Sequence, residues 1–373
     1  MDAYNRFSLD GIDIDWEYPG QQGDAGNGVS TSDTTNFLLF LQLLRNTLPP
    51  SAKISAATQT LPFAGSNGLP LQDVSQFAKV LDWVVLMNYD VWGCAASFSL
   101  SLNSLPLILI SFTFFLASSN PGPNAPLEDG CGNSSIPSAN AHSGVLSWKA
   151  AGFDSSQIVL GVPAYAYISR STASSLRQKR ALDPSSNVRV LNDAGGFESG
   201  QVQFRDLIRQ GALTRINRAL SSASSPGTAP ASFGNLPDPE IDVDVADPGC
   251  SDVEEYDEAD EKQLTLSVSH SGGLMVTPVD VSPVSTPPNV FSTLPSFQGA
   301  GGFTRHWDLC SSTPFLRSEF AQQIITFDDP HSLGLKAAWV KEAGILGVNI
   351  FDVHGDTDDW DLVDSIRNGL GLV

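Results

Sequence analysis

The chain has 373 residues, which is enough for one large α/β barrel or for two ordinary domains. It carries 41 acidic and 20 basic residues, so its formal net charge is −21 at pH 7, and twelve of the acids lie between Asp238 and Glu261. This charge argues against nucleic acid and anionic membranes as partners, because both would repel the protein.

Four cysteines are present, an even number, and none of their spacings is the C-x-x-C pattern of a zinc site. In a secreted protein they could form two disulfides in any of three connectivities. One glycosylation sequon, Asn133-Ser-Ser, fits a secretory route weakly. The cysteines are Cys94, Cys131, Cys250 and Cys310.

The first predicted element is a strand over residues 11–16, which alternates carboxylates with large apolar side chains. Ile12, Ile14 and Trp16 form an apolar face that should pack against helices. The opposite face carries Asp13, Asp15 and Glu17. Like charges this close repel each other and raise at least one carboxyl pKa, which keeps a carboxylic acid protonated near neutral pH.

An acidic surface strand or a calcium site could give a similar pattern. Calcium loops, however, have a glycine at a fixed later position and a distant glutamate, whereas Gly11 follows the first aspartate here. The sequence therefore predicts no bound metal and no cofactor, and it favours a catalytic site.

Further along, short segments over residues 53–60, 83–89 and 157–165 predict strands, and the second of them is strongly apolar. Periodic segments over residues 32–48, 69–80 and 138–151 predict helices between them. Strands that alternate with helices at this spacing predict a parallel sheet. A last strand over 347–353 lies between helices at 332–343 and 360–368.

One apolar segment, residues 98–117, could nearly span a bilayer, but it contains Asn103 and Pro106 and lacks basic flanks. Three interpretations remain open: non-native inserted sequence, an adapted loop, or a membrane segment. The first is favoured, so no membrane partner is expected.

The motif Asp10-Gly-Ile-Asp-Ile-Asp-Trp-Glu resembles the catalytic signature of glycoside hydrolase family 18, the chitinases. The resemblance continues at residues 87–90, 159–165, 302–308, 327–330 and 347–356. It implies a TIM (β/α)8 barrel in which this strand is the fourth of eight. The three preceding strand–helix units are absent from the sequence, so we expect an α/β fold with an incomplete barrel, from a truncated gene model or a fragment.

The resemblance also implies a small α+β insertion domain before the last strand. We expect residues 1–165 to form strands four to seven of the barrel and 166–306 the insertion, with strands at 263–276 and 301–307. Residues 307–373 would supply the last barrel helix and strand. A Ser/Pro-rich acidic loop at about 221–261 is expected to be mobile.

Catalytic roles follow from the same resemblance. Glu17 would protonate the glycosidic oxygen, while the substrate's own N-acetyl oxygen attacks the anomeric carbon. Asp15 would hold the acetamido N–H and stabilise the oxazolinium cation, and Asp13 would share a proton with Asp15. Tyr89 would donate a hydrogen bond to the acetamido oxygen. The expected substrate is chitin or N-acetylglucosamine oligosaccharides, which are neutral and compatible with the charge of the chain.

Other residues are expected to line the sugar pocket. Trp307 is equally compatible with a core role, and Phe351 stands where many family members have a tryptophan floor under the cleaved sugar. The predicted substrate-binding residues are Asp90, Met87, Tyr165, Trp92, Trp307 and Phe351.

Three functional hypotheses remain: an active secreted, monomeric chitinase; a non-catalytic chitin- or oligosaccharide-binding protein; or an inactive fragment. The presence of Glu17 argues against the second. The third rests on strand number, because five predicted parallel strands leave open edges where closure needs about eight.

Overall fold

The computed structural model describes residues 2–23, 27–92, 121–132, 134, 136–171, 176, 189–191, 193, 200–216 and 295–372. The predicted apolar segment at 98–117, the acidic loop at 221–261 and the strand block at 263–276 lie outside these residues. Within them, no helix is long and apolar enough to cross a membrane.

The central element is a parallel sheet of five strands in the order β1-β2-β3-β4-β12. Each of the five predicted parallel strands has a counterpart in this sheet, and the α/β class is confirmed. Strands β1 and β12 are the outer strands of this sheet, so the described part of the chain forms an incomplete barrel rather than a closed one. The strands are β1 Gly11–Ile14, β2 Lys53–Thr58, β3 Trp83–Met87, β4 Ile158–Pro163 and β12 Gly347–Phe351.

The two faces of this sheet differ in burial. One face is covered by helices and is fully buried along its three inner strands, through Ile54, Ala56, Val84, Leu86, Ile158, Leu160 and Val162. The other face carries Asp13, whose register partner on β2 is Ser55. Along this second face Val85 and Val159 are half-buried, and Asn349 at the β12 edge is exposed. The carboxylates therefore lie on the open side of the sheet, as the alternation in β1 predicts.

Helices cover the buried face, and their ends follow local sequence signals. The best defined start is that of helix α6, Pro330–Ala343. The Asp329 side chain caps the backbone N–H groups of His331 and Ser332, and Pro330 occupies the first turn. Gly344 ends this helix in the left-handed conformation. The helices are α1 Asp2–Arg6, α2 Asp33–Thr47, α3 Ser75–Ala78, α4 Ala141–Ala150, α6 Pro330–Ala343 and α7 Asp361–Leu370.

The prediction of a helix over residues 69–80 is mostly wrong, because only α3, Ser75–Ala78, is helical there. Pro70 instead forms an antiparallel bridge with Ala64, and Leu71 N–H donates to Phe63 O at 2.9 Å. These backbone bonds close residues 63–71 into a turn. Helical periodicity in the sequence does not reveal such pairing.

A second sheet is antiparallel, in the order β6-β5-β11-β10-β9. Its strands are β5 Tyr165–Arg170, β6 Gly200–Gln203, β9 Thr304–Asp308, β10 Thr313–Ser318 and β11 Gln323–Thr326. Helix α5, Phe204–Arg209, and the antiparallel pair of β7 Leu213–Ile216 with β8 Ser296–Gly299 lie beside it. The predicted strand at 301–307 corresponds to β9. The sheet continues to Thr326, beyond residue 306, where the sequence suggested that the insertion ends.

The strand predicted over 157–165 is divided in two. Strand β4 ends at Pro163, and Tyr165 already begins β5 of the antiparallel sheet. An apolar run of this length cannot reveal the change of sheet, since both halves are buried. Tyr165 is therefore supplied by the second sheet and not by a barrel strand.

The second sheet is joined to the loop that precedes α4 by a disulfide between Cys131 and Cys310, with Cα atoms 5.0 Å apart. Two backbone hydrogen bonds run beside it, from Gly130 N to Cys310 O at 2.8 Å and from Leu127 N to Ser311 O at 3.0 Å. This is one pairing of the four cysteines. Cys94 and Cys250 lie outside the described residues.

Candidate active site

The carboxylates of β1 and of the residues that follow it point into the open side of the parallel sheet. Asp13, Asp15 and Glu17 are all exposed, whereas Ile14 and Trp16 between them are half-buried. Ser55 on β2 donates a hydrogen bond from its hydroxyl to Asp13 Oδ1. The predicted separation of an acidic and an apolar face is therefore observed.

Glu17 has the properties of a proton donor. Partial burial raises its pKa, and the neighbouring negative charge of Asp15 raises it further. The Tyr18 phenol, which interacts with the ionised carboxylate, partly opposes this rise in the Glu17 pKa. The sequence-based expectation that repulsion raises a carboxyl pKa is met at Glu17.

Tyr89 follows β3 and faces the carboxylates. Burial raises its pKa above the usual value for tyrosine, and the charges of Asp90 and Asp15 raise it further. Its hydroxyl consequently stays protonated and available as a donor near neutral pH. Gly161 on β4 leaves room for the ring, because a Cβ at that position would lie 3.1 Å from Tyr89 Cε1.

Three aromatic rings form a cluster at the carboxyl ends of the strands, where such barrels bind ligands. Tyr89 stacks with Phe351 at a centroid distance of 6.0 Å and an interplanar angle of 23°. Tyr165 meets the same two rings edge-on, at 6.0 Å from Tyr89 and 6.4 Å from Phe351. Phe351 is 51 % exposed, so it can offer a face to a ligand.

Asp90 is bonded to this cluster, and its negative charge also raises the pKa of Glu17. Its carboxylate Oδ1 accepts hydrogen bonds from the hydroxyls of Tyr165 at 2.6 Å and Tyr167 at 2.7 Å. Burial raises the Asp90 pKa, and the two phenols oppose that rise because they stabilise the charged form. The sequence analysis missed Tyr167, although it lies two residues after Tyr165 on the same strand face.

Three predicted substrate-binding residues are not among the rings of this cluster. Met87 ends β3 and is half-buried, and its register partner is Gly161. Trp92 is also half-buried, and Gly122 packs against its indole. Trp307 lies on β9 against His331 and Arg305, near the start of α6. The roles of all three in sugar binding stay predictions.

Among the residues that the structure describes, no three His, Cys, Asp or Glu side chains are grouped so that they could hold a metal ion. The arrangement instead suits proton transfer beside an uncharged ligand. It combines a carboxyl group with a raised pKa, further carboxylates, protonated phenols and exposed aromatic faces.

Sequence comparison identifies relatives along the whole chain. A chitinase-like effector from Moniliophthora roreri is 29% identical over 374 residues, covering 100% of this chain and 70% of the relative. A second, from Moniliophthora perniciosa, is 27% identical, and the chain covers 65% of its length. Chitinase A1 of Niallia circulans is 21% identical over 95% of this chain, which covers 36% of that protein.

Solved structures share the fold. A chitinase from Rhizomucor miehei superposes with a TM-score of 0.59 at 21% identity, covering 99% of this chain and 75% of the other. A class V chitinase from Nicotiana tobaccum, solved in complex with NAG4, gives a TM-score of 0.55 at 17% identity and covers 99% of this chain and 70% of the other. The family model for glycosyl hydrolases family 18 matches residues 1–356. The chain therefore belongs to glycosyl hydrolases family 18.

Proposed function

We propose that this chain is a chitinase-type glycosidase that hydrolyses β-1,4 bonds between N-acetylglucosamine units with retention of configuration. The observation that carries the proposal is the Asp15–Glu17 pair. Glu17 has a raised pKa and a carboxylate neighbour, which is the state needed in a general acid.

In this mechanism Glu17 protonates the glycosidic oxygen. The acetamido oxygen of the same sugar attacks the anomeric carbon as the bond from that carbon to the glycosidic oxygen breaks, an exception to the usual carboxylate nucleophile of retaining enzymes. Water then attacks the anomeric carbon of the resulting oxazolinium, and its proton returns to Glu17. Asp15 accepts the acetamido N–H and stabilises the oxazolinium cation that forms. Asp13, which accepts a hydrogen bond from Ser55, shares a proton with Asp15. Tyr89 donates to the acetamido oxygen, as its raised pKa allows.

The substrate class follows from the chemistry of the pocket walls. Phe351 and Tyr89 offer aromatic faces that suit the apolar faces of a sugar ring, and Asp90 offers a hydrogen-bond acceptor. A neutral oligosaccharide also tolerates the net charge of −21, which would repel an anionic polymer. The Cys131–Cys310 disulfide supports a secreted protein, since structural disulfides persist in oxidising compartments.

The test is hydrolysis of chitotetraose by the purified chain, with Glu17→Gln as the matched control. Gln keeps the shape of the side chain but cannot donate the proton. We expect turnover by the parent and a loss of about 10² to 10⁴-fold in the variant. Equal turnover by both proteins would remove Glu17 from the mechanism.

A second candidate function is oligosaccharide binding without hydrolysis. It is favoured by the exposure of Asp13, Asp15 and Glu17 on an outer strand, because catalytic carboxylates work best in a water-excluded site. Calorimetric titration with chitotetraose separates the two. Binding with no product release would favour the second candidate.

A further inference from the structure

Two tyrosines of the antiparallel sheet converge on one carboxylate oxygen of the barrel. Tyr165 and Tyr167 alternate with Ala166 on β5, so both side chains leave the same face of that strand. Their hydroxyls lie 2.6 and 2.7 Å from Asp90 Oδ1. Tyr165 is only 3% exposed, whereas Tyr167 is half-buried.

The backbone of Asp90 is fixed independently of these phenols. Its φ of 58° is a left-handed conformation that aspartate tolerates better than most residues. Asn124 accepts a hydrogen bond from Asp90 N at 2.8 Å through its side chain and one from Val91 N at 3.0 Å through its carbonyl. What the phenols determine is therefore the direction of the Asp90 carboxylate.

We propose that Tyr167 is a positioning residue that acts through Asp90. Together with Tyr165 it holds Oδ1, so that Oδ2 is the acceptor for an N–H or O–H group of a bound sugar. The inference rests on the proposed function for the substrate class. It goes beyond that function because it gives an effect on sugar affinity to Tyr167, a residue that need not touch the sugar.

The alternative is that Tyr167 serves only to pack the sheet. A packing role needs the ring but not the hydroxyl, and the hydroxyl is the group that reaches Asp90. An unpaired carboxylate would also be costly in this partly buried position, since burial disfavours its charged form. A bond from each phenol offsets that cost and keeps Asp90 available as a charged acceptor.

The test compares Tyr167→Phe with the parent in a Glu17→Gln background, so that the oligosaccharide is bound but not hydrolysed. Titration calorimetry with chitotetraose should show affinity lower by about tenfold. The misdirected Asp90 carboxylate would lose about one hydrogen bond to the sugar, and a bond to a charged group is worth about that much. Tyr4→Phe on α1 is the matched control, because Tyr4 is also half-buried, and it should bind like the parent.

The dependence on Asp90 is tested by combining Tyr167→Phe with Asp90→Asn. If Tyr167 acts through Asp90, the combined variant should bind as weakly as Asp90→Asn alone and no weaker. Additive losses would contradict the proposal. Unchanged affinity in Tyr167→Phe would contradict it as well.

A titration of the unliganded protein separates this inference from the proposed function. Removing one donor should raise the Asp90 pKa, since the phenol stabilises the ionised form, and its ¹³C carboxyl signal should titrate at higher pH in Tyr167→Phe. The titratable groups that face Asp90 are Glu17, Tyr18, Tyr89, Tyr165 and Tyr167, and the Glu17→Gln background removes the acid among them.

Each pair of results then has a definite meaning. A shifted titration together with weaker binding supports the whole inference. A shifted titration in a protein that binds no chitotetraose contradicts the proposed function but keeps the contact between Tyr167 and Asp90. An unshifted titration overturns the positioning role, whatever the binding result.

Discussion

Removal of the Cys131–Cys310 disulfide should lower the stability of the protein substantially. The bond spans a sequence separation of 179 residues, and the chain-entropy relation then gives a contribution of about 5 kcal/mol at 25 °C. Measured effects are often smaller because the reduced state keeps structure, so we expect a loss of about 2 to 5 kcal/mol.

The same bond should matter for the site, because it joins the β9–β10 turn to the loop between Asn124 and α4. That loop holds the backbone of Asp90 through Asn124, and β5 of the same sheet supplies Tyr165. Reduction should therefore loosen the carboxylate's surroundings as well as the fold.

The assay is urea unfolding, followed by tryptophan fluorescence, of the parent, Cys131→Ser, Cys310→Ser and the double variant. All three variants should unfold at lower urea, and the double variant should lose no more than either single one, since one bond is removed in each case. A single variant with the parent's midpoint would refute the reasoning. If the double variant loses clearly more stability than either single variant, the serines act through something other than the disulfide.

Three further predictions concern single groups. Because the Glu17 pKa is raised, the acid stays protonated to a higher pH than an ordinary glutamate, so kcat should fall with rising pH above that pKa; a rate independent of pH from 5 to 9 would contradict this. Asp15→Asn should lower kcat on chitotetraose more than it weakens binding, since the cation develops only during reaction, and equal losses would argue against anchimeric assistance. Asp328→Asn should destabilise the protein by about 3 to 5 kcal/mol, because it leaves the fully buried Lys336 without its 2.6 Å partner. Adding Lys336→Met should restore most of that stability in urea unfolding, and no recovery would count against the buried-charge argument.

The parallel strands were predictable because their signals are local. The run over residues 83–87, Trp-Val-Val-Leu-Met, is continuously apolar, and such runs form strands that are buried on both faces or nearly so. The alternation of Asp13 and Asp15 with isoleucines likewise identified the open face of the sheet. These features depend on neighbours in the sequence, so the sequence reveals them.

The antiparallel sheet was harder to predict because its strands pair over long separations. Strand β5 pairs with β11, more than 150 residues later, and no local pattern indicates this. The disulfide is similar, since four cysteines allow three connectivities and only the fold brings Cys131 to Cys310. Tyr167 was missed because its importance comes from Asp90, which lies 77 residues earlier in the chain.

Trp307 illustrates the limit of motif matching. Its neighbours in the sequence resemble a family segment, but its ring lies against His331 and Arg305. Arg305 in turn binds Asp329 at the start of α6, with donor distances of 2.9 and 2.7 Å. This position suits an interface between the second sheet and α6, which the sequence alone does not distinguish from a sugar platform.

The most direct measurement of the central claim follows the anomeric form of the first product by ¹H NMR while the protein hydrolyses chitotetraose. Catalysis by the acetamido group, with Glu17 as the acid, inverts the anomeric carbon twice and predicts that the β-anomer appears first. The α-anomer should follow only by slow mutarotation in solution. Initial release of the α-anomer, or no hydrolysis by protein that binds the oligosaccharide, would contradict the account.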